Sequence, residues 1–364
     1  MSYVNYPLFL PLAFTFFGFF TALVYGQSLV NKRLGVTKAC WILSIFPLGA
    51  FASLLLALPP MQDGSGLTWQ INFTQSATVL VSLYLDNLSA VFALLVTGIG
   101  TLVVIYSGYY FNGDRSAWRF LVYLFLFMFA MLGIVLASNL VLLFVFWEMT
   151  SVTSFLLVAY KYKSDQARKG AFKALLITGA GGIALLLGVI FIASVTGTTE
   201  ITTLLTQTAS LQESSLYPLI LFLVALAALT KSAQTPFHIW LPDAMSAPTP
   251  ASAYLHSATM VKAGIYLLAR LNPFLGQTEA WFWIFSSIGL ITMLIGAYLG
   301  LKQNDLKALL AYSTISQLGV MVLLIGQDTD IAFKALIIGV IAVSYTHLRA
   351  HETASFISYA VFCL

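Results

Sequence analysis

Residues 229–250 read LTKSAQTPFHIWLPDAMSAPTP. A lysine, a histidine, an aspartate and four prolines interrupt a chain that is otherwise strongly apolar. Of its 364 residues, 60% are hydrophobic and 8% are charged, against about 25% charged in an ordinary soluble domain. A water-soluble fold of this length has no room to hide so much apolar surface. Runs of the ~20 apolar residues that cross a bilayer recur along the chain. They are continuous, unlike the roughly ten-residue alternating segments of a membrane β-barrel. The chain therefore reads as an all-α polytopic membrane protein, and residues 229–250 mark the place where one of its helices is broken.

On either side of that stretch, spans are expected at 7–25, 40–58, 87–108, 120–138, 140–160, 174–195, 217–240, 252–271, 281–301 and 308–326, with a damaged one near 331–344. That is about 11 transmembrane helices. A tight turn is expected at Ala137–Leu140, a polar loop at 61–77, and a short amphipathic helix lying in the membrane interface at 197–215. Basic residues favour the cytoplasmic side. With the N-terminus outside, twelve of the seventeen lysines and arginines fall in inner loops, Lys32, Arg33 and Arg115 among them. The outer loops take Arg270 and Lys334. The net charge of +4 thus belongs to membrane topology and gives no reason to expect a nucleic-acid partner. The first apolar run has no basic residue before it and is long enough to span, so no cleavable signal peptide is expected. Cys40 and Cys363 are far apart in sequence and point to neither a disulfide framework nor a metal site.

The tail poses a separate question. Residues 343–353, VSYTHLRAHET, bring histidines, an arginine and a glutamate where an apolar helix has just begun. One reading is a native amphipathic end. The other, adopted here, is translated adapter read-through of the kind found in environmental sequence assemblies, which makes residues 344–364 a non-native tail. For that reason the helical spacing of His347 and His351 is given no weight as a metal site.

An ionisable side chain at the bilayer centre costs about 2.5–3.5 kcal/mol on insertion scales, so it needs a partner or a water-lined cavity. Glu148, Lys231 and Lys262 lie within spans and away from their ends. Ser151 shares the helix face of Glu148, and Thr235 shares that of Lys231 if the helix stays intact that far. Two readings compete. One is a static salt bridge that locks helix packing. The other is a proton relay, in which pairing and desolvation set the protonation of acid and amine against each other. A second lysine and two nearby histidines favour the relay. Pro236 removes a backbone donor and clashes with the preceding turn. Broken backbone is tolerated at membrane depth only where it is buried in protein or lines a cavity, and transporters place ion sites at such breaks. His238 follows the break, as a proton carrier or a packing residue. His256 opens the next span, six residues before Lys262. Asp243 reads as a loop or cap residue. HIWLPD has the histidine–aspartate spacing of an acyltransferase signature, but a proline precedes the aspartate and no phosphate-binding segment follows. No P-loop or dinucleotide fingerprint is present, so no cofactor is expected.

Three segments carry a resemblance: VFWEMTSVTSFLL (145–157), residues 229–270 from LTKSAQTPF to IYLLAR, and DLKALLAYSTISQLG (305–319). They resemble the antiporter-like proton-translocating membrane subunits, a family that includes the large membrane subunits of respiratory complex I and the largest subunit type, A, of Mrp-type sodium/proton antiporters. LVVIYS (102–107), residues 126–148 and HSATMVKAG (256–264) are most similar to that Mrp type. The resemblance covers roughly residues 80–343. It implies about fourteen core helices with two inverted five-helix repeats and a broken seventh helix. Residues 1–110 would carry the first three helices, 111–272 the first repeat, and 273–343 the start of a truncated second repeat. Carried over by motif, Glu148 is the acid of the fifth helix, Lys231 its partner on the broken seventh, and Lys262 the connecting lysine of the eighth, with His256 near it. The implied activity is exchange of protons for a monovalent cation, within a hetero-oligomer of membrane subunits in a prokaryotic cell membrane. The second reading is the equivalent subunit of a complex I-like or membrane hydrogenase complex, and the third is an inactive structural fragment.

Overall fold

The structure is a computed structural model that describes residues 7–27, 35–61, 66–72, 79–114 and 116–362. Lys32, Arg33, Arg115 and Cys363 lie outside the described residues, as do the side chains of His347, Arg349 and His351. The chain is mostly helical and forms two compact units, Met1–Thr153 and Ser154–Leu364.

The first unit contains α1 (Leu10–Tyr25), α2 (Val36–Leu43), α3 (Ile45–Ala57), α4 (Asn87–Tyr110), α5 (Ala117–Leu136) and most of α6 (Leu140–Val158). Helix α5 is its core. Phe120, Leu124, Phe127, Met128 and Met131 are all fully buried, as expected of a helix that is apolar on every side. The expected turn between α5 and α6 is present: Asn139 Oδ1 accepts from the Val141 and Leu142 amides at 2.8 and 3.4 Å, capping α6. Residues 61–77 differ from the expected loop. Strand β1 (Leu67–Asn72) pairs antiparallel with β2 (Val79–Leu85), in register Leu67↔Leu85 and Gln70↔Ser82. The α5–α6 turn extends this ladder, with the Ser138 amide donating to the Ser82 carbonyl at 3.0 Å. A two-stranded hairpin is marginal alone. It forms here because the turn gives β2 a partner on its far side, and that contact lies more than fifty residues away in sequence.

The second unit contains α7 (Asp165–Thr196), α8 (Ile201–Leu204), α9 (Thr208–Gln212), α10 (Tyr217–Lys231), α11 (Trp240–Ala244), α12 (Thr249–Ser252), α13 (Met260–Leu275), α14 (Glu279–Leu301), α15 (Leu306–Gln327) and α16 (Asp330–Phe362). The single amphipathic helix expected at 197–215 is two short helices. They are tied to the end of α13 by Gln212 Nε2, which donates to the Gly276 carbonyl at 2.9 Å. Arg270, assigned to an outer loop, is instead buried within α13, where its Nε donates to the Tyr266 hydroxyl at 3.0 Å. Helix α16 continues through residue 344 without a break.

Among the described residues, seven helices are long and apolar enough to cross a membrane, and α1 and α10 are shorter apolar helices. The difference from the expected eleven has a local cause in α10. At 1.5 Å per residue, its fifteen residues reach only about 22 Å, because the helix ends at Lys231 where the sequence reading carried it to 240.

Candidate functional site

Helix α10 stops five residues before Pro236. Ser232 is the cap residue, and Ala233 follows with φ of 49°, the left-handed conformation that usually falls to glycine one residue past a helix. The Gln234 amide then reaches back to the Leu229 carbonyl at 2.9 Å, the six-to-one bond of a Schellman end. A left-handed alanine costs about 1–2 kcal/mol, so the surrounding bonds must hold it there. Four side chains take part. Ser232 Oγ donates to the Val261 carbonyl at 2.8 Å on α13. Gln234 Nε2 donates to the Ser232 carbonyl at 3.0 Å. The Thr235 amide donates to Thr292 Oγ1 at 3.0 Å on α14. Trp240 Nε1 donates to the Thr230 carbonyl at 3.0 Å. Backbone groups released by the break are thus taken up by side chains, in a place with no bulk water to satisfy them.

Lys231 is the last residue of α10 and is fully buried. Two glycines let neighbouring helices approach it. A Cβ on Gly264 of α13 would run into the Ala228 carbonyl and Ser232 Oγ, and one on Gly181 of α7 would meet Thr230 Oγ1. Thr235 does not share the face of Lys231 as the intact-helix reading required, since the helix has ended by then.

A second irregularity follows. After α12 the chain forms a π-helical turn, Ala253–Ala258, before α13 begins at Met260. Single π-turns inside helices are rare and gather at functional sites. His256 sits on this turn, fully buried, with its ring 6.0 Å from that of Trp240. Trp240 therefore touches both the end of the broken helix and the buried histidine. Lys262, in the first turn of α13, is also fully buried, and its Nζ donates to the Val340 carbonyl at 2.9 Å and to Ser344 Oγ on α16. His238 lies half-buried on the 3₁₀ turn Phe237–Ile239, and its Nδ1 has no hydrogen-bond partner among the described residues.

Glu148 belongs to the first unit. It is half-buried near the middle of α6, and Thr150, Ser151 and Thr153 beside it are buried. Thr150 and Ser151 turn their hydroxyls back to the Trp147 carbonyl. The other four sequence-predicted residues, Lys231, His238, His256 and Lys262, all belong to the second unit. Of these, the structure links His256 to the end of α10 through Trp240, while Lys262 turns toward α16. Asp243, expected in a loop or cap, lies on α11 and forms an ion pair with Lys173 of α7. Sequence reasoning missed Trp240 and Thr292. A tryptophan inside a proline-rich connection was a usable signal, because a buried indole N–H requires an acceptor. Thr292 gave none.

A family model described as NADH:quinone oxidoreductase/Mrp antiporter, TM, matches residues 137–360. A second, described as NADH-Ubiquinone oxidoreductase (complex I), chain 5 N-terminus, matches residues 69–121. A large Na(+)/H(+) antiporter subunit, type A, of Alkalihalophilus pseudofirmus is 46% identical over 323 residues, covering 86% of this chain and 40% of that protein. A putative antiporter subunit of Staphylococcus haemolyticus is 43% identical over 325 residues, covering 89% and 40%. The solved structure of an Mrp complex from a Dietzia species has a TM-score of 0.85 and 37% identity, covering 94% of this chain and 37% of that one. The chain spans about 40% of the length of these two curated relatives.

Proposed function

This chain belongs to the NADH:quinone oxidoreductase/Mrp antiporter family of membrane proteins, and from that premise we propose that it is the proton-conducting part of a multisubunit cation/proton antiporter. The carrying observation is the pair of fully buried lysines, Lys231 at the end of a broken helix and Lys262 just after a π-helical turn. Burial disfavours the charged form of an amine, and a group kept near the point of losing its proton can pass one on. Glu148 and Lys231 act as the opposed acid and base, His256 and Lys262 carry the proton onward, and His238 connects the break to the loop side. No chemistry on a substrate is involved: the chain is a transporter component driven by ion gradients. Its relatives carry antiporter names, which favours exchange of a monovalent cation within a hetero-oligomer of membrane subunits.

The wider architecture belongs to the same proposal: about fourteen core helices in two inverted five-helix repeats, with the N-terminus outside a prokaryotic cell membrane. The first repeat occupies 111–272 and the second begins at 273–343. We assign 344–364 as non-native, so that in the natural protein the Lys262 ammonium finds a different partner from Ser344. The match to the complex I chain 5 model supports the second reading, in which an equivalent subunit pumps protons in a redox-driven complex. The chain's share of its relatives' length leaves room for the third, an inactive fragment. Replacing Lys231 by alanine in the complete natural protein, within its assembled complex, is expected to abolish antiport while assembly survives. Normal transport by that variant would refute the relay.

A further inference from the structure

The first turns of α7 carry a feature with no part in the proton pathway. Arg168, Lys169, Phe172, Lys173, Leu176 and Ile177 line an open groove of about 510 Å³. Its rim is cationic and its floor is hydrocarbon. Phe172 and Leu176 are 54% and 71% exposed, and exposed Ile183 and Ile190 continue the same helix face. From Phe172 to Ile183 is eleven residues, about 16 Å of helix, close to one leaflet of a ~30 Å hydrocarbon layer.

Two of the three cations already have acidic neighbours, Arg168 with Asp165 and Lys173 with Asp243. Lys169 has no ion pair among the described residues, and Lys161 and Lys163 are exposed just ahead of the helix. The cations therefore outnumber the acids at the head of an apolar stripe that runs along the helix axis. A single lipid molecule has that layout: an anionic headgroup above an acyl chain. A protein surface would have to supply both parts from separate side chains.

We propose that this groove binds an anionic glycerophospholipid, with the headgroup phosphate held by Lys169 and Arg168 and one acyl chain lying along Phe172, Leu176 and Ile183. Cations against a phosphate form strong charge-assisted hydrogen bonds, and basic pockets at the ends of membrane helices are the usual receptors for such headgroups.

The test uses the complete natural protein in its purified complex, with photo-crosslinkable phosphatidylglycerol and phosphatidylcholine of identical acyl chains. Peptide mapping is expected to find residues 168–177 labelled by phosphatidylglycerol roughly fivefold more than by phosphatidylcholine. Lys169→Gln with Arg168→Gln should bring that ratio toward one, and Phe172→Ala should lower labelling by both lipids. Equal labelling of the unmodified complex would overturn the proposal and make the face ordinary lipid boundary. So would absence of lipid labelling together with crosslinks to another protein of the complex, or selectivity that survives the double substitution.

Discussion

Trp240 holds the broken end of α10 in place, and removing one atom from it measures how firmly. The perturbation is site-specific replacement by benzothienylalanine in the complete protein, which exchanges the indole N–H for sulfur and keeps the ring size. Trp240 is fully buried and Thr230 nearly so, and the bond between them spans 3.0 Å. Its loss leaves a carbonyl at the helix end without its donor, at a cost of about 1–3 kcal/mol. Trp240→Phe removes the same bond and about 40 Å³ of side chain, adding about 1 kcal/mol at ~24 cal/mol per Å³ of residual cavity. The assay is reversible denaturant unfolding of the complete protein in mixed micelles, comparing natural, isosteric and phenylalanine forms. The expected order of stability is natural, then isostere, then phenylalanine. If the isostere matches the natural protein within about 0.5 kcal/mol, the indole bond does not hold the break and the reasoning fails.

Further outcomes follow from the same packing. Gly264→Ala should destabilise the protein more than Gly181→Ala, because the new methyl meets a backbone carbonyl in the first case and a rotatable threonine hydroxyl in the second. Overpacking of this kind costs about 1–3 kcal/mol, and thermal midpoints of the two variants will rank them. The Lys173–Asp243 pair bridges α7 and α11 with both side chains partly exposed. A double-mutant cycle with Lys173→Gln and Asp243→Asn should return a coupling below about 1 kcal/mol, shrinking further as salt is raised. A larger, salt-insensitive coupling would mean the pair is buried in the assembled complex.

The membrane class, the positions of most long helices and the identity of the charges inside them were legible in the amino-acid string alone. Those follow from composition and from runs of apolar residues, which are local properties. Asn139 marked its turn for the same reason: its side chain caps the next helix within three residues. Long-range packing set where α10 ends. Pro236 forbids the helix from passing it, but sets no limit on stopping sooner. The end at Lys231 depends on donors and acceptors from Val261, Trp240 and Thr292, which outweigh the cost of a left-handed Ala233. The β-hairpin and the course of Lys262 toward α16 were hidden likewise, since their partners lie some fifty to eighty residues away. A buried polar group must be satisfied, and the sequence names the group without naming which distant element satisfies it.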